Sequence, residues 1–588
     1  MPRFSLLLGC SAVLLTSAAP PPLPAAPQGA SQDRRSPVRC TPRQREDYRR
    51  KTRPLAYAPP PPTMAPAPEP MSVMTPPPPP SPPAPPAPMA TRSASAAMVA
   101  GAVQRVPATP LYGSAENTER YDGKAVASIL SVADQPVSTF SVDVDTGAYA
   151  NVRRMLTQGL NVPGEAVRTE EMINYFRYDY PKPTDREAPF SVTTDVATTP
   201  WNPDTRLMRI GLRGYDVDAR GRPPANLVFL VDVSGSMDED DKLPLVKKSL
   251  SMLADRIGPN DRVSIVAYSG SVSTVLEPTS NKNYIRQALD CLYAEGSTAG
   301  GEAMKMAYGI ARANYIKGGV NRILMATDGD FNVGVSDNKA LIDMVKRERD
   351  SGITLTTLGF GTGNYNEAMM EQVADAGNGN YSYIDSLMEA QKVLDEELSA
   401  TLLTIAGDVK VQVEFNPAQV KQYRLIGYEN RALAEEDFAN DSVDAGDIGA
   451  GHQVTALYEI VPADKAGWLP ERRYEGNRQP APVPASTGGE LAFVKLRYKL
   501  PGQTASKLIE RPVPAALMRN AGAPQGDMAF VTAVAAFGQK LRGDKYLNGF
   551  GYRQIGALAP ASGNYWRSEF VKLVQLAESG QPARGGRD

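Results

Sequence analysis

Histidine is nearly missing from this chain: His452 is the only one in 588 residues. Chemistry that needs two histidines is therefore excluded. His452 lies in the glycine-rich stretch 449–453, which reads as a loop, and we expect a plain surface residue there. Cysteine is almost as scarce. Cys10, Cys40 and Cys291 are the full set, and no spacing among them suggests zinc or a redox pair. Cys291 follows a helical pattern and reads as a buried thiol. A surplus of one charge is also lacking, with 63 Lys and Arg against 65 Asp and Glu. The formal net charge of -2 gives no reason to expect a nucleic acid or an acidic polymer as partner. Finally, the sequence contains no Gly-x-Ser-x-Gly elbow, no Ser-His-Asp set and no phosphate-binding loop.

Proline is the one residue in excess, with 52 copies. Much of it falls in residues 20–104, which include the runs 59–62 and 76–80. Such sequence cannot fold around a core and favours an extended spacer of about 3.1 Å per residue. We expect a disordered tether there, with a solvated basic patch at 43–53. Before it, residues 1–19 combine one positive charge, an apolar run and small residues, the pattern of an export signal. The stretch 4–19 is short for a membrane span. Leu7, Leu8, Gly9 and Cys10 resemble a bacterial lipobox, which implies a lipidated Cys10 at the membrane of a Gram-negative cell envelope. The alternative is an ordinary signal cut near Ala18.

The chemistry concentrates at residues 227–237. Five apolar residues, 227–231, read as a strand buried on both faces of a parallel sheet. The run ends in Asp232-x-Ser234-x-Ser236, which places one carboxylate and two hydroxyls on the turn at the strand's carboxyl end. Open α/β sheets put their ligands there. These are hard oxygen donors, suited to Mg²⁺, Mn²⁺ or Ca²⁺ and not to zinc or copper. Two further stretches follow the same logic. Residues 295–301 form a glycine-rich turn with Thr298 ahead of a helical pattern. Residues 322–330 form a second buried strand that ends in Asp328. Order, spacing and context together resemble the von Willebrand factor type A (VWA) domain and its metal-ion-dependent adhesion site. By that resemblance Ser234 and Ser236 bind the metal directly, while Asp232, Thr298 and Asp328 bind it directly or through water. The resemblance also implies an open coordination position that an acidic side chain of a protein partner can fill.

Around this motif, strands alternate with helices. Strands are expected at 226–231, 262–267, 322–327, 353–358 and 381–384, with a short antiparallel edge near 272–276. Helices are expected at 243–257, 284–292, 302–315, 339–350, 367–376 and 387–403. The pattern predicts a doubly wound, Rossmann-like α/β VWA domain over 223–404. Alternating strands occur on both sides of it, within 186–222 and 405–510, and predict a β-rich sandwich built from both flanks. Residues 105–185 carry a strand near 138–146 and two helices, and 511–588 carry helices at 528–541 and 565–577. Both stretches resemble the extensions of a group of bacterial VWA lipoproteins. Asp143 and Asp145 share one strand face and read as structural or capping residues. Asp330 and Asp337 read as solvated loop acids.

These features favour a cell-envelope binding protein, not an enzyme, that holds a divalent metal and meets an acidic group on a protein ligand. It would be membrane-attached through a lipid anchor and would bind no nucleic acid. The alternatives are an assembly or regulatory partner of an ATPase complex and a Mg²⁺-dependent hydrolase.

Overall fold

A computed structural model describes residues 37–39, 119–183, 188–217, 222–298, 300–329, 338–397, 403–470, 489–559 and 562–580. The lipobox-like stretch with Cys10, the basic patch 43–53, Asp330 and Asp337 lie outside the described residues.

The strand Ala225–Asp232 is buried at every position. Its residues alternate between two cores, as a strand covered on both faces must. Leu227, Phe229 and Val231 pack with the helices Leu243–Ala254 and Lys282–Asp290. Val228 and Leu230 pack on the other side with Gly300–Ala313 and Asn338–Asp350. The sheet runs Tyr381–Ile384, Thr354–Phe360, Val320–Thr327, Ala225–Asp232, Arg262–Tyr268 and Val272–Thr279. All neighbours are parallel except the last pair, which is the antiparallel edge. This is the doubly wound VWA-type α/β fold. One helix departs from expectation. Among the described residues, the pattern at 387–403 is α-helical over Leu387–Gln391 and continues as a π-helix over Lys392–Glu397, while 398–402 lie outside them. The widened turn meets two demands: Val393 and Leu394 stay in the sheet core, and Lys392 sits over the Tyr175 ring at 4.0 Å.

The strands on either side of this domain pair with each other. Arg206–Gly214, just before it, is antiparallel to Gln453–Pro462, well after it. Val137–Ser141 is likewise antiparallel to Thr404–Phe415. The VWA domain is thus inserted between strands that share sheets. The two antiparallel sheets feed one apolar cluster, with Ile210 and Tyr458 from one sheet and Val411 and Val494 from the other. Two strands, Val420–Ile426 and Ser506–Pro514, carry no clear alternation in the sequence. The second is an edge strand with six exposed positions and Pro512 within it, so little burial shaped its pattern. The helices of residues 147–174 pack against those of 526–579 through Tyr149, Phe176, Phe530 and Phe570.

Three local expectations need correction. His452 is buried, because its turn folds back on the strand Arg206–Gly214, and its carbonyl accepts the Gly214 amide at 2.9 Å. Cys291 is buried but is disulfide-bonded, not a free thiol. The Pro-rich stretch is not a tether throughout, since Val38 pairs with Leu276 on the sheet edge.

The contact between the VWA domain and its flanks is acidic. Glu367, Glu371 and Asp375 form one stripe at four-residue spacing on the helix Glu367–Ala376. Facing them are Asp143, Asp145, Glu170 and Glu171, and among the described residues Arg168 and Arg431 balance the set. Arg168 lies 2.5 Å from Glu371, 3.3 Å from Glu171 and 3.6 Å from Glu367. Arg431 lies 2.9 Å from Asp375 and 3.3 Å from both Asp143 and Asp145. Asp145 also accepts the Tyr381 amide at 2.9 Å. Asp143 and Asp145 are therefore structural, as expected, and clamp the last strand of the inserted sheet.

Burial and surplus negative charge favour protonation here. Burial pushes Glu367 up to about 8 against the opposing charge of Arg168. Glu170 is pushed up to about 7 by burial, with Glu429 and Asp143 adding to it. These groups hold protons when folded at pH values where the unfolded chain has lost them. Their stabilising contribution is thus full below their ordinary value of 4.5 and is lost as pH rises through 7 to 8. Glu367→Gln removes one titration at constant size. Its melting temperature, followed by circular dichroism, should fall less between about pH 6 and pH 9 than that of wild type. We expect a difference on the order of 2–4 °C, and parallel curves would contradict this origin of the pH dependence.

Candidate metal centre

The centre forms where the two middle strands of the inserted sheet end side by side. Asp232 is the last residue of Ala225–Asp232, and its side chain is fully buried. Oδ1 accepts the Ser234 amide at 2.9 Å, which folds the chain into a turn directly after the strand. Oδ2 accepts the Thr327 hydroxyl at 3.0 Å, from the end of the neighbouring strand. The turn continues as a short 3₁₀ helix, Gly235–Asp238, and brings the Ser234 and Ser236 hydroxyls within 3.1 Å of each other. Asp328 follows Thr327 and is fully buried.

A third loop is tied to the same turn. Glu295 donates its amide to Val233 at 2.8 Å, and Gly235 donates to the Gly296 carbonyl at 2.9 Å. Thr298 follows two residues later and is half-buried. Gly296 has φ of +76°, a conformation glycine adopts without steric cost. Gly329, just past Asp328, has φ of +90°, and a Cβ on it would lie 2.4 Å from the Asn366 amide nitrogen. The structure thus brings Asp232, Ser234 and Ser236 into direct contact, links Asp328 to them through Thr327, and joins Thr298 by its loop.

The charge balance favours a cation. Two buried carboxylates lie at the centre, and one buried ammonium, Lys242 Nζ, meets Asp328 at 3.3 Å. Asn364 also donates to Asp328, at 3.2 Å. Burial pushes Asp232 up to about 6 against the hydrogen bonds from Ser234, and the charge of Asp328 pushes the same way. Tyr268, on the adjacent strand, is raised well above its ordinary value by burial and by the charge of Asp232. The donor set of carboxylate and hydroxyl oxygens fits a hard divalent ion. Thr327, Lys242 and Asn364 were not foreseen. Lys242 reads in the sequence as the end of the charged run 238–242, and only the packed fold aims it inward.

Comparison with known proteins gives these positions a family. Residues 226–397 match the von Willebrand factor type A domain, and 115–209 match a family described as von Willebrand factor. Residues 400–579 match the C-terminal family of the uncharacterized protein YfbK. The chain is 46% identical over 473 residues to the uncharacterized protein YfbK of Escherichia coli strain K12, covering 78% of this chain and 81% of that one. It belongs to the YfbK family. A shorter likeness, 35% identical over 188 residues, is to the uncharacterized protein sll0103 of Synechocystis, covering 32% of this chain and 43% of that one. Among solved structures, a von Willebrand factor type A protein from Catenulispora acidiphila is 16% identical and covers 68% of this chain and 90% of that chain, with a TM-score of 0.37. In this YfbK-family chain the five expected metal residues all fall inside the part matched to the VWA domain.

Two substitutions test the local physics. Gly329→Ala should destabilise the protein by about 2–4 kcal/mol in urea unfolding, because positive φ and the Asn366 backbone both oppose a side chain. Lys242→Met, measured without divalent ions, should cost about 3 kcal/mol by leaving Asp328 buried beside Asp232 without its ammonium.

Proposed function

We propose that this chain is a cell-envelope binding protein that captures an acidic group of a protein partner through a divalent ion, Mg²⁺ or else Mn²⁺ or Ca²⁺. Asp232, Ser234, Ser236, Thr298 and Asp328 hold the ion, and the partner's carboxylate replaces bound water. The observation that carries this reading is the geometry of Asp232, Ser234 and Ser236. One carboxylate orders the turn that presents two hydroxyls 3.1 Å apart at the carboxyl end of a parallel sheet. Von Willebrand factor type A domains are commonly protein-interaction or adhesion modules, which supports the reading. We read the two antiparallel sheets as a sandwich that carries the VWA domain. Binding rather than catalysis fits a site in which both acids are needed as ligands.

The envelope location rests on the export pattern and Cys10, and the disulfide at Cys291 supports it, because such bonds persist in oxidising compartments. Arg153 ties the end of the VWA domain to the flanks. It bonds Asp385 at 2.8 Å and Glu389 at 2.7 Å at the end of the VWA domain, and Glu569 at 3.0 Å in the C-terminal helix.

Calorimetric titration of the full chain with Mg²⁺ and Mn²⁺ should show one site, abolished in Asp232→Ala and weakened at least tenfold in Ser234→Ala. Equal heats in wild type and Asp232→Ala would overturn the metal assignment. With the ion established, an envelope protein retained in Mg²⁺ but lost in EDTA and with Asp328→Ala would name the partner. Retention under all three conditions would show that contact to be independent of the metal.

A further inference from the structure

Lys242 breaks the local rules for its position. It is the N-cap of the helix Leu243–Ala254, a place that favours Ser, Thr, Asp or Asn, and the positive end of a helix repels a cation. A lysine there would ordinarily point to water, yet this one is 3% exposed. Its amide donates to the Glu239 carbonyl at 3.0 Å, and its own carbonyl accepts the Val246 amide at 2.9 Å, which fixes the root of the side chain. The stem lies over Gly361, directly after the strand Thr354–Phe360, in space that a side chain would occupy. A Cβ on Gly361 would overlap the Lys242 Cγ, Cδ and Cε. This slot steers the ammonium to Asp328 at 3.3 Å and to the Asn364 side-chain oxygen at 3.5 Å.

Both contacts are longer than the roughly 2.7–2.9 Å of a tight charge-assisted bond. The ammonium is thus close to Asp328 without a strong bond to it, and its charge matters more than its contacts. Asp232, Asp328 and Lys242 together carry one negative charge in a buried centre. A divalent ion on the five oxygen-bearing residues would turn that into one positive charge. Ion and ammonium would then both face Asp328, where screening by solvent is weak. We propose that Lys242 is a resident counter-cation of the metal centre. It makes two buried acids tolerable without an ion, lowers the affinity for the ion, and leaves the loaded centre a positive charge for an acidic partner to neutralise.

This role rests on the metal reading above and sharpens it. Two acids alone would neutralise a divalent ion, and the charge balance would then favour no further anion. With Lys242 present, the ion binds more weakly by itself and more tightly beside a carboxylate. Ion and acidic partner therefore bind cooperatively, each raising the affinity for the other. Lys242 acts through Asp328 and sets specificity for a negatively charged partner without being a metal ligand.

Calorimetric titration of the full chain with Mn²⁺ tests the role. Lys242→Met and Lys242→Gln both remove the charge, and Gln keeps a hydrogen-bond donor. Each variant should bind Mn²⁺ about tenfold or more tightly than wild type. Wild-type or weaker affinity in both variants, with binding in wild type abolished by Asp232→Ala, overturns the proposal and leaves the metal reading standing. No Mn²⁺ binding in wild type or in either variant overturns both. Acetate, as the carboxylate probe, should tighten Mn²⁺ binding more in wild type than in Lys242→Gln, and an equal effect overturns the coupling to an acidic group. Melting in EDTA reads the ion pair without any metal. Adding Asp328→Asn to Lys242→Met should raise the melting temperature by on the order of 2–4 °C, because the uncompensated charge is removed. A further fall overturns the pairing of Lys242 with Asp328.

Discussion

Three buried guanidiniums hold this molecule together. Arg153, Arg168 and Arg431 all lie outside the inserted VWA domain, yet each ends on carboxylates inside it. Removing such ions from water is costly, and the cost is offset only when several hydrogen-bonded partners surround each one. Each arginine serves three or four acids at once, Arg153 through hydrogen bonds and Arg168 through ion-pair contacts in which Nε and one terminal nitrogen make no hydrogen bond. The consequence is an orientation set by charge and geometry, where an apolar contact would be less selective. The acids outnumber the arginines, so protons complete the balance at the stripe Glu367, Glu371 and Asp375, and the junction becomes a pH-dependent part of the fold.

The metal centre leans on the same junction. Asp328 is braced by Asn364, which lies in the loop directly before the helix that carries the acidic stripe. That loop is held from the N-terminal side: Gly363 donates to Glu119 at 3.1 Å, and Glu119 in turn pairs with Arg154. Residues preceding the VWA domain by more than a hundred positions therefore fix one wall of its ligand site. The opposite wall, the loop through Gly296 and Thr298, is rooted at the disulfide-bonded Cys291. The centre is thus preorganised from two sides, by ions on one and, on the other, by the backbone hydrogen bonds that tie Glu295 and Gly296 to Val233 and Gly235.

Local chemistry was legible in the sequence where a residue's role depends on its near neighbours. The apolar run 227–231 has a single physical reading, a strand covered on both faces, and Asp232, Ser234 and Ser236 lie within one turn of its end. The alternation of strands and helices around them likewise specified the doubly wound sheet and its antiparallel edge. The extensions on either side were recognisable by their resemblance to a group of bacterial VWA lipoproteins, since their period alone marks strands and helices and names no family.

Only the tertiary structure decided the rest, because it depends on groups far apart in the chain. Lys242 and Asn364 become neighbours of Asp328 when separate loops pack, and nothing in their own surroundings announces it. His452 sits in a glycine-rich stretch that reads as solvent-exposed, yet its turn is folded onto a strand more than two hundred residues earlier. Val38 belongs to a segment whose composition favours an extended spacer, and it is ordered because an edge strand offers unpaired amides and an apolar pocket. Sequence pattern specifies which residues form an element, since that rests on local backbone and burial periodicity. Which elements share a charge, a hydrogen bond or a disulfide rests on their arrangement in space.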